Sequence, residues 1–160
     1  MQRPDFIKHY SEIQDQDDAT YPNSDELLSI GSPFGKHFGL KRIGIHHELL
    51  SPGRRTSYPH AEADEEEFVY VIAGTPDVWI DGELFALKPG DGVGFPNGTG
   101  ISHTFINNTS SDVRLLVVGE KISGSKVYYP KNPERRQEIG DKWWDPNPAR
   151  PLGKHDGKPN

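Results

Sequence analysis

The stretch Gly53-Arg-Arg-Thr-Ser-Tyr-Pro-His60-Ala-Glu62-Ala-Asp-Glu-Glu-Glu67-Phe-Val-Tyr-Val-Ile-Ala-Gly74 sets ionisable groups directly before a run of strand-forming residues. His60 and Glu62 are two apart, so in an extended strand their side chains leave on one face and can converge on one atom. An imidazole followed by a carboxylate at that spacing is half of a 2-His-1-carboxylate triad, the donor set that suits divalent iron with open coordination positions. Glu67 offers a further oxygen ligand. The second imidazole has to arrive from a neighbouring strand, and His103 in Gly100-Ile-Ser-His103-Thr-Phe-Ile-Asn107 is the candidate.

Working outward, Glu67 to Ala73 reads as a strand with Val69 and Val71 beside Glu67 on one face and Phe68, Tyr70 and Ile72 on the other. Both faces are apolar, so each needs cover. One face suits a barrel interior and the other a partner subunit or the amino-terminal arm. Upstream, Lys41 to Leu50 places Ile43, Ile45, His47 and Leu49 on one face before the turn Ser51-Pro52-Gly53. Downstream, Asp81-Gly82 between Asp77-Val-Trp-Ile and Glu83-Leu-Phe-Ala-Leu predicts a tight hairpin, because primed turns need positive φ. Gly92–Phe95, Ile101–Asn107, Val113–Val118 and Lys126–Tyr129 complete about eight short strands, a rhythm that argues for an all-β sandwich or barrel.

The expected organisation is an arm over residues 1–40 that packs on the barrel, the barrel over 41–130, and an extended tail over 131–160. Ser24 can cap one helical turn in the arm. Trp143-Trp144 in the tail is expected to dock on the barrel or on a second subunit.

Composition bounds the function classes. The 160 residues are enough for one domain with a single core, and Gly (17) with Pro (14) against 32% hydrophobic residues favours a turn-rich β domain. A net charge of -6 argues against nucleic acid and against an anionic membrane as partners. Cysteine is absent, so any metal is held by nitrogen and oxygen. The amino end carries no apolar leader and no stretch is long enough to span a membrane, which makes the cytoplasm the expected compartment.

The two motif stretches resemble the paired motifs of the cupin superfamily. The first motif appears as Gly53, His60, Glu62, Glu67 and Gly74, and the second as Gly90, Pro96, Gly98, His103 and Asn107. Leu116-Val-Val-Gly119 and Val127-Tyr-Tyr-Pro130 further resemble a bacterial subgroup of single-domain cupins with no settled activity, sometimes described loosely as sugar-phosphate isomerases. The resemblance implies a double-stranded β-helix, or jelly-roll barrel, with extended arms, and a divalent metal (Mn, Fe, Ni or Zn) on His60, Glu62, Glu67 and His103. Two departures stand out: Glu62 occupies the place of the family's second histidine, and four residues instead of two separate Gly98 from His103. A carboxylate for an imidazole makes the site harder and more anionic, favouring manganese, iron(II) or magnesium over copper.

The leading expectation is a metal-dependent enzyme of isomerase or dioxygenase type acting on a small polar metabolite, with Glu67 or Glu62 as general base if it is not a ligand. The competing expectation is a non-catalytic barrel that binds or senses a small ligand. A homodimer is expected in either case, because Phe68, Tyr70, Ile72 and the tryptophan pair are more apolar surface than so polar a chain can hide. His46 and His47 lie beside the site in strand order, although a lone strand histidine is more often structural. Arg54 and Arg55 could steer an anionic substrate. Arg114 is similar in position to the arginine that holds the cosubstrate in 2-oxoglutarate oxygenases. Tyr58, Tyr70 and Phe105 are first of all core or pocket lining.

Overall fold

The computed structural model describes residues 3–160. Its strands are β1 (Ile30–Ser32), β2 (Ile43–Leu50), β3 (Ala61–Glu62), β4 (Glu67–Ala73), β5 (Asp77–Ile80), β6 (Glu83–Ala86), β7 (Gly92–Phe95), β8 (His103–Ile106), β9 (Val113–Glu120) and β10 (Val127–Tyr128). Two short helices, α1 (Phe34–His37) and α2 (Arg135–Ile139), flank them. The fold is all-β. A five-stranded sheet in the order β1-β2-β9-β4-β7 and a three-stranded sheet β6-β5-β8 form the jelly roll, with β3 and β10 as a small third ladder.

Local chemistry explains the main strands. Asp81 and Gly82 take positive φ, 47° and 95°, and this primed turn joins β5 to β6. In β4 the period-2 pattern puts Val69 and Val71 fully inside and leaves Phe68, Tyr70 and Ile72 outside at 45%, 40% and 38% exposure. Leu50, Val69, Val71, Phe95, Val113 and Leu115 of the large sheet meet Val78 and Phe105 of the small one, so the core lies between the two sheets. No helix among the described residues is long and apolar enough to cross a membrane.

The terminal segments are tied down at several points. From the amino-terminal side, β1 pairs with β2, the Asp15 N–H donates to Gly31 O, Tyr10 stacks on His47 at 4.1 Å and Tyr21 stacks on Tyr58 at 3.9 Å. Ser24 Oγ accepts from the Glu26 N–H at 3.1 Å, but it closes a turn and no helix follows. From the carboxyl-terminal side, Trp144 N–H donates to Val127 O and the Trp143 ring meets Tyr128 edge-on at 5.5 Å. Further along, Gly153 runs so close to the β5–β6 turn that a Cβ on Gly82 would lie 2.3 Å from the Gly153 nitrogen.

Both segments meet at Arg55, which is 2% exposed. Its Nε and Nη2 donate to the two oxygens of Glu26 at 2.7 Å each, and Nη1 donates to Gly157 O at 2.7 Å. The guanidinium lies over the Tyr58 ring at 4.6 Å. Arg54 pairs with Asp17. These arginines form a clasp in place of the steering role they could have served: the 54–55 segment faces the terminal segments, and both charges are taken up by carboxylates of the amino-terminal segment. Arg55→Ala should lower the unfolding free energy by about 3 kcal/mol, since it strands a partly buried carboxylate and a carbonyl. Arg55→Lys should recover less than half of that loss, because an ammonium cannot reproduce the forked geometry. Urea unfolding of the two variants measures both effects.

Candidate metal centre

Three of the four expected ligands converge. One ligand atom from each of His60, Glu67 and His103 lies within 4.8 Å of the others. Backbone pairing makes this possible. His60, just before β3, and His103, the first residue of β8, exchange two main-chain hydrogen bonds of 3.2 and 2.9 Å, which brings their rings to 4.8 Å between centroids. Glu67 opens β4, on the inward face shared with Val69 and Val71.

The ring orientations suit metal binding. His60 Nδ1 lies 2.9 Å from Tyr58 O, and a carbonyl only accepts, so Nδ1 carries a proton and the ring is held in place by that contact. His103 is held flat against Phe95, with centroids 3.5 Å apart, and its Nε2 donates to Glu67 Oε1 at 3.1 Å. Burial lowers the pKa of His103 below the ordinary imidazole value of 6.5, so its ring is neutral at neutral pH. Burial alone would raise Glu67, but the His103 hydrogen bond and nearby imidazoles outweigh it and the carboxyl stays ionised. Two imidazoles and an ionised carboxylate, with no thiolate, form a donor set that fits a divalent first-row ion.

Glu62 stands apart from this trio. Its Oε1 lies 3.8 Å from His60 Nε2, as the two-residue spacing dictates, but it is not among the three atoms that converge. Burial, with the charges of Glu65, Glu67 and Asp64, raises its pKa to about 7 against the opposing effect of His60.

The trio lines a cavity of about 230 Å³ that also contains His46, Glu48, Thr56 and Ser57. Sequence reasoning singled out His46 but missed Glu48. The signal was available, because Glu48 is two residues beyond His46 on a strand and must share its face. His47 points the other way, where Arg114 Nε donates to its Nε2 at 2.9 Å and Tyr10 covers it. Arg114 lies under the Tyr10 ring at 4.6 Å and does not line this cavity, so the cosubstrate role suggested by its position falls away. Phe105 lines the cavity, Tyr58 is buried beside Tyr21, and Tyr70 faces outward.

Comparison with known proteins agrees with this architecture. A family model described as "Cupin domain" matches residues 46–119. The polyketide synthase protein CurC of Streptomyces cyaneus is 35% identical over 68 residues, a segment that spans 42% of this chain and 42% of that one. A candidate sugar phosphate isomerase from Acidithiobacillus ferrooxidans superposes with a TM-score of 0.63 at 30% identity, over 65% of this chain and 66% of its own. A sugar phosphate isomerase of the cupin superfamily from Silicibacter pomeroyi gives 0.62 at 31%, over 63% and 64%. The chain therefore spans less than half of the curated relative and just under two thirds of the two solved ones. With its paired motifs, jelly-roll sheets and these likenesses, the chain belongs to the cupin superfamily.

Proposed function

We propose that this cupin is a metal-dependent enzyme acting on a small polar metabolite, with His60, Glu67 and His103 holding the metal. The observation that carries the reading is the convergence of these three side chains on the wall of one cavity; a metal there would displace the proton that His103 Nε2 gives to Glu67. Manganese, iron, nickel or zinc suits the donor set, and such an ion supplies Lewis acidity towards a carbonyl or hydroxyl oxygen. Tyr58 O fixes the His60 ring, and Phe95 fixes the His103 ring, so the ligands are oriented before any metal arrives. Glu62 is the proton-transfer group. A carboxyl with a pKa of about 7 exists in both forms at neutral pH, which suits removal of a proton next to a carbonyl and its return at the adjacent carbon. This is isomerase-type chemistry, in keeping with the names of the two similar solved proteins. The two-histidine, one-carboxylate composition of the trio favours a second reading, a dioxygenase.

Purified wild-type protein should carry about one equivalent of metal by elemental analysis, and His103→Ala should carry none; metal absent from both, even after reconstitution, would sink the proposal. Metal content should fall on acidification, with the loss beginning below pH 6.5, because burial already keeps His103 neutral below that ordinary imidazole value. The metal-loaded protein should exchange the C–H protons of dihydroxyacetone in D2O, read by NMR. Glu62→Gln should slow that exchange by about 100-fold with the metal retained. Retained metal without exchange or oxygen consumption would favour a binding module.

We further propose a homodimer formed through the outer face of β4. Phe68, Tyr70 and Ile72, each more than a third exposed, make a continuous apolar stripe with Ile43 nearby on the same sheet face. Light scattering should give twice the chain mass, and Phe68→Glu with Ile72→Glu should give the monomer.

A further inference from the structure

The charges around the cavity bear on what can enter it. The inner cavity of about 230 Å³ shares Glu67 in its wall with two outer spaces of about 420 and 370 Å³. Together these walls carry the carboxylates Glu48, Glu65, Glu66, Glu67 and Glu120, and the cations Lys36 and Lys121, with no arginine. Of the arginines nearby, Arg54 pairs with Asp17, Arg55 with Glu26, and Arg114 with His47 and Tyr10, while Arg42, just before β2, is exposed and outside these walls. The forked guanidinium donors and long-helix N-termini that receive phosphoryl groups do not line these spaces, and the two lysines present stand among more numerous carboxylates. Two lysines and one divalent ion would supply four positive charges against five carboxylates, so the walls stay acidic.

Glu48 lies on the inner wall, on β2, within the same cavity as the trio. One carboxyl oxygen accepts from Ser29 Oγ at 2.6 Å, which fixes the side chain. The other lies 3.8 Å from His46 Nδ1 and has no hydrogen-bond partner among the described residues. Asp15 approaches from the amino-terminal segment, near Gly31, and Glu67 from β4, so acidic groups surround Glu48 and His46 on its own strand is the nearby base. Burial, opposed in part by the Ser29 hydrogen bond and reinforced by Glu67 and Asp15, raises its pKa to about 7. The free oxygen can therefore donate or accept near neutrality. At about 230 Å³ the cavity is also smaller than the roughly 300 Å³ at which ordinary ligand pockets begin.

We infer that Glu48 is the ligand-positioning and specificity-determining residue of this cavity, and that the ligand is a small uncharged hydroxy-carbonyl or polyhydroxyl compound, not a phosphoester. One oxygen of the ligand faces His60, Glu67 and His103, and a hydroxyl at its other end bonds the free Glu48 oxygen. Thr56 and Ser57 offer further hydroxyl partners on the wall between. The inference rests on the reading that the trio's cavity is the working site, and it adds the substrate class.

Dihydroxyacetone and dihydroxyacetone phosphate form a matched pair of probes. Their affinities for metal-loaded wild-type, Glu48→Gln and Glu48→Ala protein can be measured by saturation-transfer NMR at pH 7.5, with metal content determined for each sample. Wild type should bind dihydroxyacetone at least about tenfold more tightly than its phosphate, the factor that 1.4 kcal/mol confers. Glu48→Gln should keep dihydroxyacetone affinity within about threefold and narrow the discrimination, because the amide keeps the polar contact and removes the charge. Glu48→Ala should lose about tenfold or more towards dihydroxyacetone at unchanged metal content. Equal or tighter binding of the phosphate by wild type overturns the inference, as does failure to bind either probe. If Glu48→Ala does not fold, unchanged discrimination in Glu48→Gln overturns it. A protein that takes up no metal but still binds dihydroxyacetone in a Glu48-dependent way would retire the metal reading and leave this one standing.

Discussion

The site depends on a pair of main-chain hydrogen bonds. His60 and His103 are 43 positions apart in the sequence, and only the exchange of two backbone bonds between them makes their rings neighbours. Because side chains alternate faces along a strand, a slip of one residue at this bridge would turn one imidazole away from the cavity. The same register aligns Ile80 with His103 and Val78 with Phe105, so one pairing scheme orders both the ligands and the core beneath them. Glu67 joins from the other sheet, which makes the trio a contact between layers and not a property of any single ladder.

A chain with so few apolar residues needs help to hold that register, and the terminal segments supply it. The Arg55 clasp is costly to bury alone, but the guanidinium meets two carboxylate oxygens, a carbonyl and an aromatic face at once, so its donors are largely satisfied. Its neighbour Tyr58 donates nothing to the clasp except its ring, yet its carbonyl orients His60. Anchoring of the ends and orientation of a ligand ring are thus three residues apart on one segment.

Burial sets the electrostatics of the cavity. Removing carboxyls from water lifts Glu48 and Glu62 to about 7, and the same effect lowers His103. Glu67 escapes because His103 donates to it. This balance leaves Glu67 ionised and His103 neutral, with Glu48 in the cavity wall and Glu62 beside it poised near neutrality, a separation typical of functional sites. Glu65, Glu66 and Glu120 line the outer spaces, so acidic side chains concentrate there in a chain whose net charge is only -6.

The sequence by itself determined the candidate ligands and eight of the ten described strands, because alternation and turn chemistry are local rules; it missed the short β1 and β3. Alternation in Glu67–Ala73, the Asp81-Gly82 turn and the two-residue step from His60 to Glu62 need only backbone geometry to be read. Distances between strands obey no such rule. That Glu62 stands beside the converging trio, that Glu48 enters the cavity while His47 turns towards Tyr10, and that Arg55 and Arg114 serve the terminal segments instead of a ligand were decided by the tertiary structure. The side of a strand on which a residue lies follows from its position in the chain, but what it meets there depends on partners 19 to 102 residues away, which sequence spacing does not encode.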